Sequence, residues 1–259
     1  MSKDRHYQLN IQLQIKIKNH MKIALLGYGK MGKIIERIAI ERKHEIVLKI
    51  DINNQNDLTI ENLKKADIAI EFSTPKSAVS NYKKCFEAGI PVVGGTTGWL
   101  EQKEEVISDM KKHDGTFFYS SNYSLGVNIF FALNRKLASL MSQRPEYDVS
   151  MEEVHHIQKK DAPSGTAISL AEDIINTLPT KNSWTLDEPK SSDQIKINAV
   201  REGQVPGIHR VLYDSKTDHI FIEHSAKSRE GFAMGAVLAA EFSFGKKGFL
   251  NMNDLLNLE

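Results

Sequence analysis

The sequence predicts an α/β chain: a doubly wound parallel sheet in the first half and a second α+β domain with a mixed open sheet after it. Three observations carry this reading. Short, near-continuous apolar runs alternate with helical periodicities up to residue 126, as in strands covered by helices on both faces. A glycine-rich turn, Gly27-Tyr28-Gly29-Lys30-Met31-Gly32, joins the first run to the first helical stretch. Beyond Gly126 the strands alternate apolar and polar residues instead, as in a sheet with one solvated or partner-covered face.

The elements follow in order. Leu9, Ile11, Leu13, Ile15 and Ile17 alternate with polar residues, a period-two strand pattern. The globular signal restarts at Met21, so residues 1–20 are expected to be an extension, a loose tail rather than an added edge strand. Lys22–Leu26 is a strand, Met31, Ile34, Ile35, Ile38 and Ala39 mark a helix, and Glu45–Ile50 is a second strand stopping at Asp51. A helix over Leu58–Lys65, a strand over Ile68–Phe72, a helix over Ala78–Ala88 and a strand over Pro91–Val93 continue the alternation. The second half reads as helix Phe130–Met141, strand Tyr147–Val154, helix Ala167–Thr177, surface loop Lys181–Asp193, and strands Ile195–Val200, His209–Tyr213 and His219–His224. Gly235–Ala240 is helical again and is expected to return to the first domain. The expected division is residues 1–20, a first domain over 21–126, a second domain over 127–229, and a returning segment over 230–259.

The glycine turn lies between a strand and a helix, with Asp51 19 residues after Gly32. That context makes it a Rossmann-like fingerprint for a nicotinamide dinucleotide. Gly27 permits the tight turn, Gly29 lets backbone approach the pyrophosphate, and Gly32 lets helix and strand pack closely. The helix start offers unpaired amides to phosphates, and Tyr28, Lys30 and Met31 fall within the same cradle. Asp51 is placed to accept from the adenosine ribose. Two further strands end in the small polar loops Gly94–Gly98 and Ser120–Ser124. Gly95, Thr96, Thr97, Ser120, Ser121, Asn122 and Tyr123 are expected to wall the cofactor. A carboxylate at Asp51 favours a free 2′-hydroxyl over a phosphate, and Ile52, Asn53 and Asn54 supply no cation, leaving Lys30 to compensate. NADH or NADPH is therefore expected, with NADH used at least as well.

The bulk composition is that of an ordinary globular protein. Hydrophobic residues make up 41% and charged residues 26%, with a formal net charge of +1, which points to neither nucleic-acid nor membrane partners. A single cysteine, Cys85, excludes an internal disulfide framework and fits a reducing cytoplasm. Its setting on an amphipathic stretch suggests a half-buried structural thiol.

The densest chemistry lies in Glu153-Val154-His155-His156-Ile157-Gln158-Lys159-Lys160-Asp161-Ala162-Pro163-Ser164-Gly165-Thr166. No metal is expected, because neighbours on a strand point to opposite faces and neither a second cysteine nor an H-x-x-x-H accompanies the pair. For His155 and Lys159 to reach one ligand, the chain has to curl after His156. Ser164 or Thr166 is a natural helix cap, and the amides at such a start hold an anion. Histidine and lysine beside that start suit a carboxylate substrate that must also be protonated, facing a hydride donor. Neither His155 nor Lys159 is expected in the core.

These residues resemble the dihydrodipicolinate reductase family, also called 4-hydroxy-tetrahydrodipicolinate reductases. The likeness rests on the glycine turn, Gly95-Thr96-Thr97-Gly98, Asn122–Asn128, and above all His155-His156 with Lys159 and Asp161–Thr166. Arg201-Glu202-Gly203, Gly207-Ile208-His209 and the stretch from Ser228 to Val237 extend it over nearly everything from Met21 onward. The resemblance implies His155 as proton donor and acceptor and Lys159 as a second proton donor. It implies His156, Gly165 and Thr166 as holders of substrate carboxylates, with Ser164 beside them. It also implies NAD(P)H, a cyclic dicarboxylate of the lysine and diaminopimelate route, and a homotetramer built through the mixed-sheet domain. The family often has Arg-His where this chain has Ile157-Gln158, which removes positive charge near the site. Two rival readings are an NAD-dependent, aspartate-type amino-acid dehydrogenase, which need not carry Asp161–Thr166, and a non-catalytic NAD(H) sensor, which predicts nothing for His155 and Lys159.

Overall fold

The structure, a computed structural model, describes residues 20–258, so the alternating stretch at residues 9–17 lies outside the described residues. The chain forms two compact units, one running to Ser124 and resuming over Phe232–Asn257, the other covering Leu125–Gly231. The first unit runs β1 (Lys22–Leu26), α1 (Lys30–Glu41), β2 (Glu45–Ile50), α2 (Ile60–Leu63), β3 (Ile68–Glu71), α3 (Pro75–Ala88), β4 (Val92–Gly94), α4 (Lys103–Lys112) and β5 (Thr116–Tyr119). The second runs α5 (Leu125–Met141), β6 (Asp148–His155), α6 (Gly165–Ile175), β7 (Ser183–Thr185), β8 (Gln194–Arg201), β9 (Ile208–Asp214) and β10 (His219–Ser225). Then α7 (Glu230–Ser243), β11 (Gly248–Leu250) and α8 (Met252–Leu256) follow, chiefly within the first unit.

The first unit holds a parallel sheet in the order β11-β5-β4-β3-β1-β2. All its strands run one way, so the loops after Leu26, Ile50, Glu71, Gly94 and Tyr119 emerge from a single edge. Register confirms the alignment: Leu26 pairs with Ile50 and Glu71, Glu71 with Gly94, and Gly94 with Tyr119. The helix expected from Ala78 begins at Pro75, whose fixed φ suits a first helical position. Cys85 is fully buried rather than half-buried, and burial pushes its thiol well up. A buried Glu241 on α7 accepts from Arg42 at 2.7 and 2.8 Å and lies 2.9 Å from His44. This network ties the returning segment to the α1–β2 connection.

The second unit is a mixed five-stranded sheet in the order β10-β9-β6-β8-β7. Its central strand, β6, pairs antiparallel with β9 and parallel with β8. Phe130 and Ala138 of α5 and Leu170 and Ile174 of α6 pack with Met151, Ile197 and Val211 to form its core. The opposite face carries Ser150, Glu152, Lys196, Arg210 and Phe221 around a shallow cavity of about 430 Å³. The stretch Lys181–Asp193 is not all surface loop. Its Lys181 is buried, with the ammonium 2.6 Å from Asp148, and β7 pairs with β8. Neutralising the cation and capturing an edge strand outweigh the polar composition that suggested a loop. Among the described residues, no helix is long and apolar enough to cross a membrane.

Candidate active site

In the first unit, the glycine turn is built as its spacing suggests. Gly27 has φ +103°, and a Cβ there would stand 2.1 Å from the Phe72 carbonyl oxygen. A Cβ on Gly32 would meet the Gly27 carbonyl at 2.3 Å, so helix and turn approach to a distance only glycine allows. Gly29 caps α1, and a Cβ on it would meet nothing within 4 Å. Open space before a helix start fits the phosphates of a dinucleotide. A cavity of about 480 Å³ runs from this turn past Asp51 to Phe72, Ser73 and Thr74.

Asp51 closes that cavity at the end of β2. Its Oδ1 accepts from the Asn53 amide at 2.7 Å and its amide donates to Asn54 at 2.8 Å. Lys30 is exposed at the first position of α1. A second cation, missed in the sequence, sits nearby: the Lys49 ammonium lies 5.0 Å from the Tyr28 ring and 3.2 Å from Glu36, which also accepts from the Tyr28 hydroxyl.

The other expected cofactor residues divide into wall and frame. Thr97 and Ser121 are exposed, and Gly95, Ser120 and Asn122 are half-buried. Tyr123 is buried and donates to the Gly94 carbonyl at 2.8 Å, so it ties the two loops together. Thr96 is likewise buried and accepts from the Ser73 amide at 2.8 Å.

In the second unit, β6 ends at His155 and the chain turns at once, with the Lys159 amide donating to the His156 carbonyl at 3.1 Å. This is the curl that His155 and Lys159 require. The Lys159 ammonium holds both Asp161 oxygens at 2.7 and 2.9 Å, and this bond keeps the Asp161 carboxyl below its usual range. Contrary to expectation, His155 is a core residue, 7% exposed. Val149, Met151, Glu153 and His155 share the buried face of β6. His156 is half-buried just beyond the strand.

A carboxylate organises this end of the sheet. Glu153, 0% exposed, accepts from the Ser164 amide at 3.0 Å and from Arg201 at 2.9 Å. Its Oε2 lies 3.5 Å from Nδ1 of His155 and 3.8 Å from Nε2 of His209. Burial pushes its carboxyl up, but the bonds from Ser164 and Arg201 outweigh that and hold it below the ordinary range. Burial lowers His155, Glu153 opposes the shift, and Lys159 and Arg201 reinforce it. His209, also buried, is pushed down to about 4 by burial and by His155. Glu153, His155 and His209 bring three potential ligand atoms within 4.8 Å of one another. Hydrogen bonds from Ser164 and the adjacent guanidinium already occupy that carboxylate, which suits a proton-handling cluster better than a cation cage.

Ser164 caps α6 through its hydroxyl, which accepts from the Ala167 amide at 3.2 Å and lies 3.1 Å from Nε2 of His209. Ser164 is itself buried. Its side chain supports the helix start from below, in the capping role its position in the sequence suggests. The amides of Gly165 and Thr166 have no hydrogen-bond partner among the described residues. Gly165 is exposed, and a Cβ there would meet nothing within 4 Å. An anion has room to approach. Glu153, Arg201 and His209 were not read as functional from sequence. A charged residue on the apolar parity of β6, and a histidine on that of β9, were the available signals.

Cradle and acid–base cluster belong, by class, to an NAD(P)H-dependent oxidoreductase. Family models described as dihydrodipicolinate reductase, N-terminus and C-terminus, match residues 21–123 and 126–256. The chain belongs to the dihydrodipicolinate reductase family. It is 51% identical over 238 residues to the 4-hydroxy-tetrahydrodipicolinate reductase of Christiangramia forsetii, covering 92% of this chain and 98% of that one. The enzyme of that name from Caldanaerobacter subterraneus is 36% identical over 242 residues, covering 88% and 94%. A solved dipicolinate-bound dihydrodipicolinate reductase from Paenisporosarcina shares the fold, with TM-score 0.73 at 23% identity over 91% of this chain and 98% of that one.

Proposed function

We propose that this chain reduces 4-hydroxy-tetrahydrodipicolinate to tetrahydrodipicolinate with NAD(P)H, in the lysine and diaminopimelate route. The observation that carries the reading is the joining of a buried proton-handling histidine to an open helix start within residues 155–166. When bound, the dinucleotide supplies the hydride. In this reading, the ring hydroxyl leaves as water to give the conjugated ring that accepts the hydride, and His155 and Lys159 manage the protons of the two steps. The Gly165 and Thr166 amides, the Thr166 hydroxyl and His156 hold the substrate carboxylates. Fixing both carboxylates supplies much of the orientation. Gly27, Gly29, Gly32 and the α1 start hold the pyrophosphate, and Asp51 takes the ribose, with NADH used at least as well as NADPH.

The polar and aromatic outer face of the second sheet, with Phe221 58% exposed, supports assembly through this face into a homotetramer. A reducing cytoplasm suits the single buried thiol of Cys85. Parallel assays test the reading: freshly synthesised cyclic dicarboxylate should drive oxidation of reduced cofactor, and oxidised cofactor with aspartate should remain inert. The reverse pattern would favour the amino-acid dehydrogenase.

A further inference from the structure

We propose that Glu153 is a positioning residue for this reaction, a buried carboxylate that sets His155, the start of α6 and the Lys159–Asp161 loop in one fixed arrangement. The inference rests on the reading of His155 as proton donor and deepens it. Three elements converge on this single carboxylate. From the cap of α6 comes the Ser164 amide at 3.0 Å, from β8 the Arg201 guanidinium at 2.9 Å, and from β9 His209, the register partner of Glu153.

Arg201 extends the arrangement outward. It donates to the Asp161 carbonyl at 2.6 Å and to the Lys159 carbonyl at 3.4 Å. The backbone that carries Lys159 is thus held by a cation whose charge Glu153 neutralises. The Ser164 amide ties the same carboxylate to the residue that caps α6.

His155 completes the set. Its buried Nδ1 has no hydrogen-bond partner among the described residues, and Oε2 of Glu153 stands 3.5 Å away. A small ring rotation closes that gap to a hydrogen bond. A carboxylate accepting from Nδ1–H fixes the tautomer and leaves Nε2 to exchange the proton with substrate. Nε2 borders the bare Cα of Gly207, where a Cβ would stand only 3.0 Å from it. The charged and titratable groups around His155 are Glu153 on its own strand, Lys159 and Asp161 on the following loop, Arg201 on β8 and His209 on β9. Among the groups that act on it electrostatically, Glu153 and Asp161 favour the imidazolium, while Lys159 and Arg201 oppose it.

The test uses the full chain with ¹³C-labelled histidine, comparing wild type with Glu153→Gln and Arg201→Gln. The NMR titration of His155 needs no substrate, so it reads positioning independently of the proposed reaction. Glu153→Gln should move the His155 midpoint to lower pH, and Arg201→Gln should move it to higher pH. With cyclic dicarboxylate, the His155-dependent limb of the kcat profile should shift in the same two directions. Glu153→Gln should lower kcat by roughly tenfold or more, because partners that orient an imidazole contribute at least that much. Its KM should change less. A His155 midpoint unmoved in a folded Glu153→Gln would overturn the proposal. If that variant does not fold, an unmoved midpoint in Arg201→Gln would do so. Variants whose His155 midpoints shift as expected, with a wild type that does not turn over the dicarboxylate, would sink the functional reading alone.

Discussion

Glu153 and His209 face each other as register partners on β6 and β9, with Oε2 and Nε2 3.8 Å apart. Ser164 Oγ contacts the same imidazole nitrogen at 3.1 Å. A histidine so enclosed folds neutral. Its ordinary value of 6.5 is pushed down to about 4, so between those limits the unfolded chain binds a proton that the folded chain refuses. Stability must therefore fall as pH drops through this window and level off below it. The gap is worth up to about 3 kcal/mol. Urea unfolding of wild type and His209→Gln at neutral and mildly acidic pH checks this. The wild type should lose stability more steeply; equal slopes would show that His209 is not enclosed in solution.

His155→Gln and Lys159→Ala should each cut kcat by about a hundredfold or more, the usual contribution of a general acid or base. Lys159→Ala should fold normally, because its side chain sits on a surface loop. Removing a buried His155 should also lower Tm somewhat, which circular dichroism separates from the catalytic loss. Wild-type turnover in both variants would reject their assignment.

Thr166→Val should act on binding. The hydroxyl lies at an open helix start, and a lost hydrogen bond to a charged group costs about 1.5–3 kcal/mol. KM for the dicarboxylate should rise by about tenfold to a hundredfold with kcat little changed. Unchanged KM with collapsed kcat would place Thr166 in the chemistry.

Asp51 follows β2, its Oδ1 accepts from the Asn53 amide, and we propose that its carboxylate also takes a ribose hydroxyl. The wild type should use NADH at least as well as NADPH, and Asp51→Ala should narrow or reverse the ratio of the two kcat/KM values. Wild-type preference for NADPH by more than about tenfold, roughly 1.4 kcal/mol, would mean that Lys30 or Lys49 outweighs the carboxylate.

Much of this was legible in the sequence where periodicity and punctuation agree. The β1–α1–β2 unit declares itself through an apolar run, a glycine turn and a helical stripe. The string from His155 to Thr166 marks the turn after β6 and the start of α6 through residue type and spacing. What sequence does not carry is direction. The hydroxyl of Ser164 caps α6, as its place before the helix suggests, whereas the bond from Tyr123 to the Gly94 carbonyl could not be read from either loop alone. Glu153 and His209 were hidden because their meaning depends on a cross-strand register set by residues far apart in the chain. The three-residue strand β11 was too short to show a period, and it is recognisable only from its pairing with β5.

Following the hydride tests the central claim most directly. Wild-type protein would be given freshly made 4-hydroxy-tetrahydrodipicolinate and NADH carrying deuterium at the transferable position, and the product weighed by mass spectrometry. We expect tetrahydrodipicolinate that has gained the deuterium in step with cofactor oxidation. Cofactor oxidised without deuterium in the product, or no substrate-dependent oxidation with either NADH or NADPH, would contradict it.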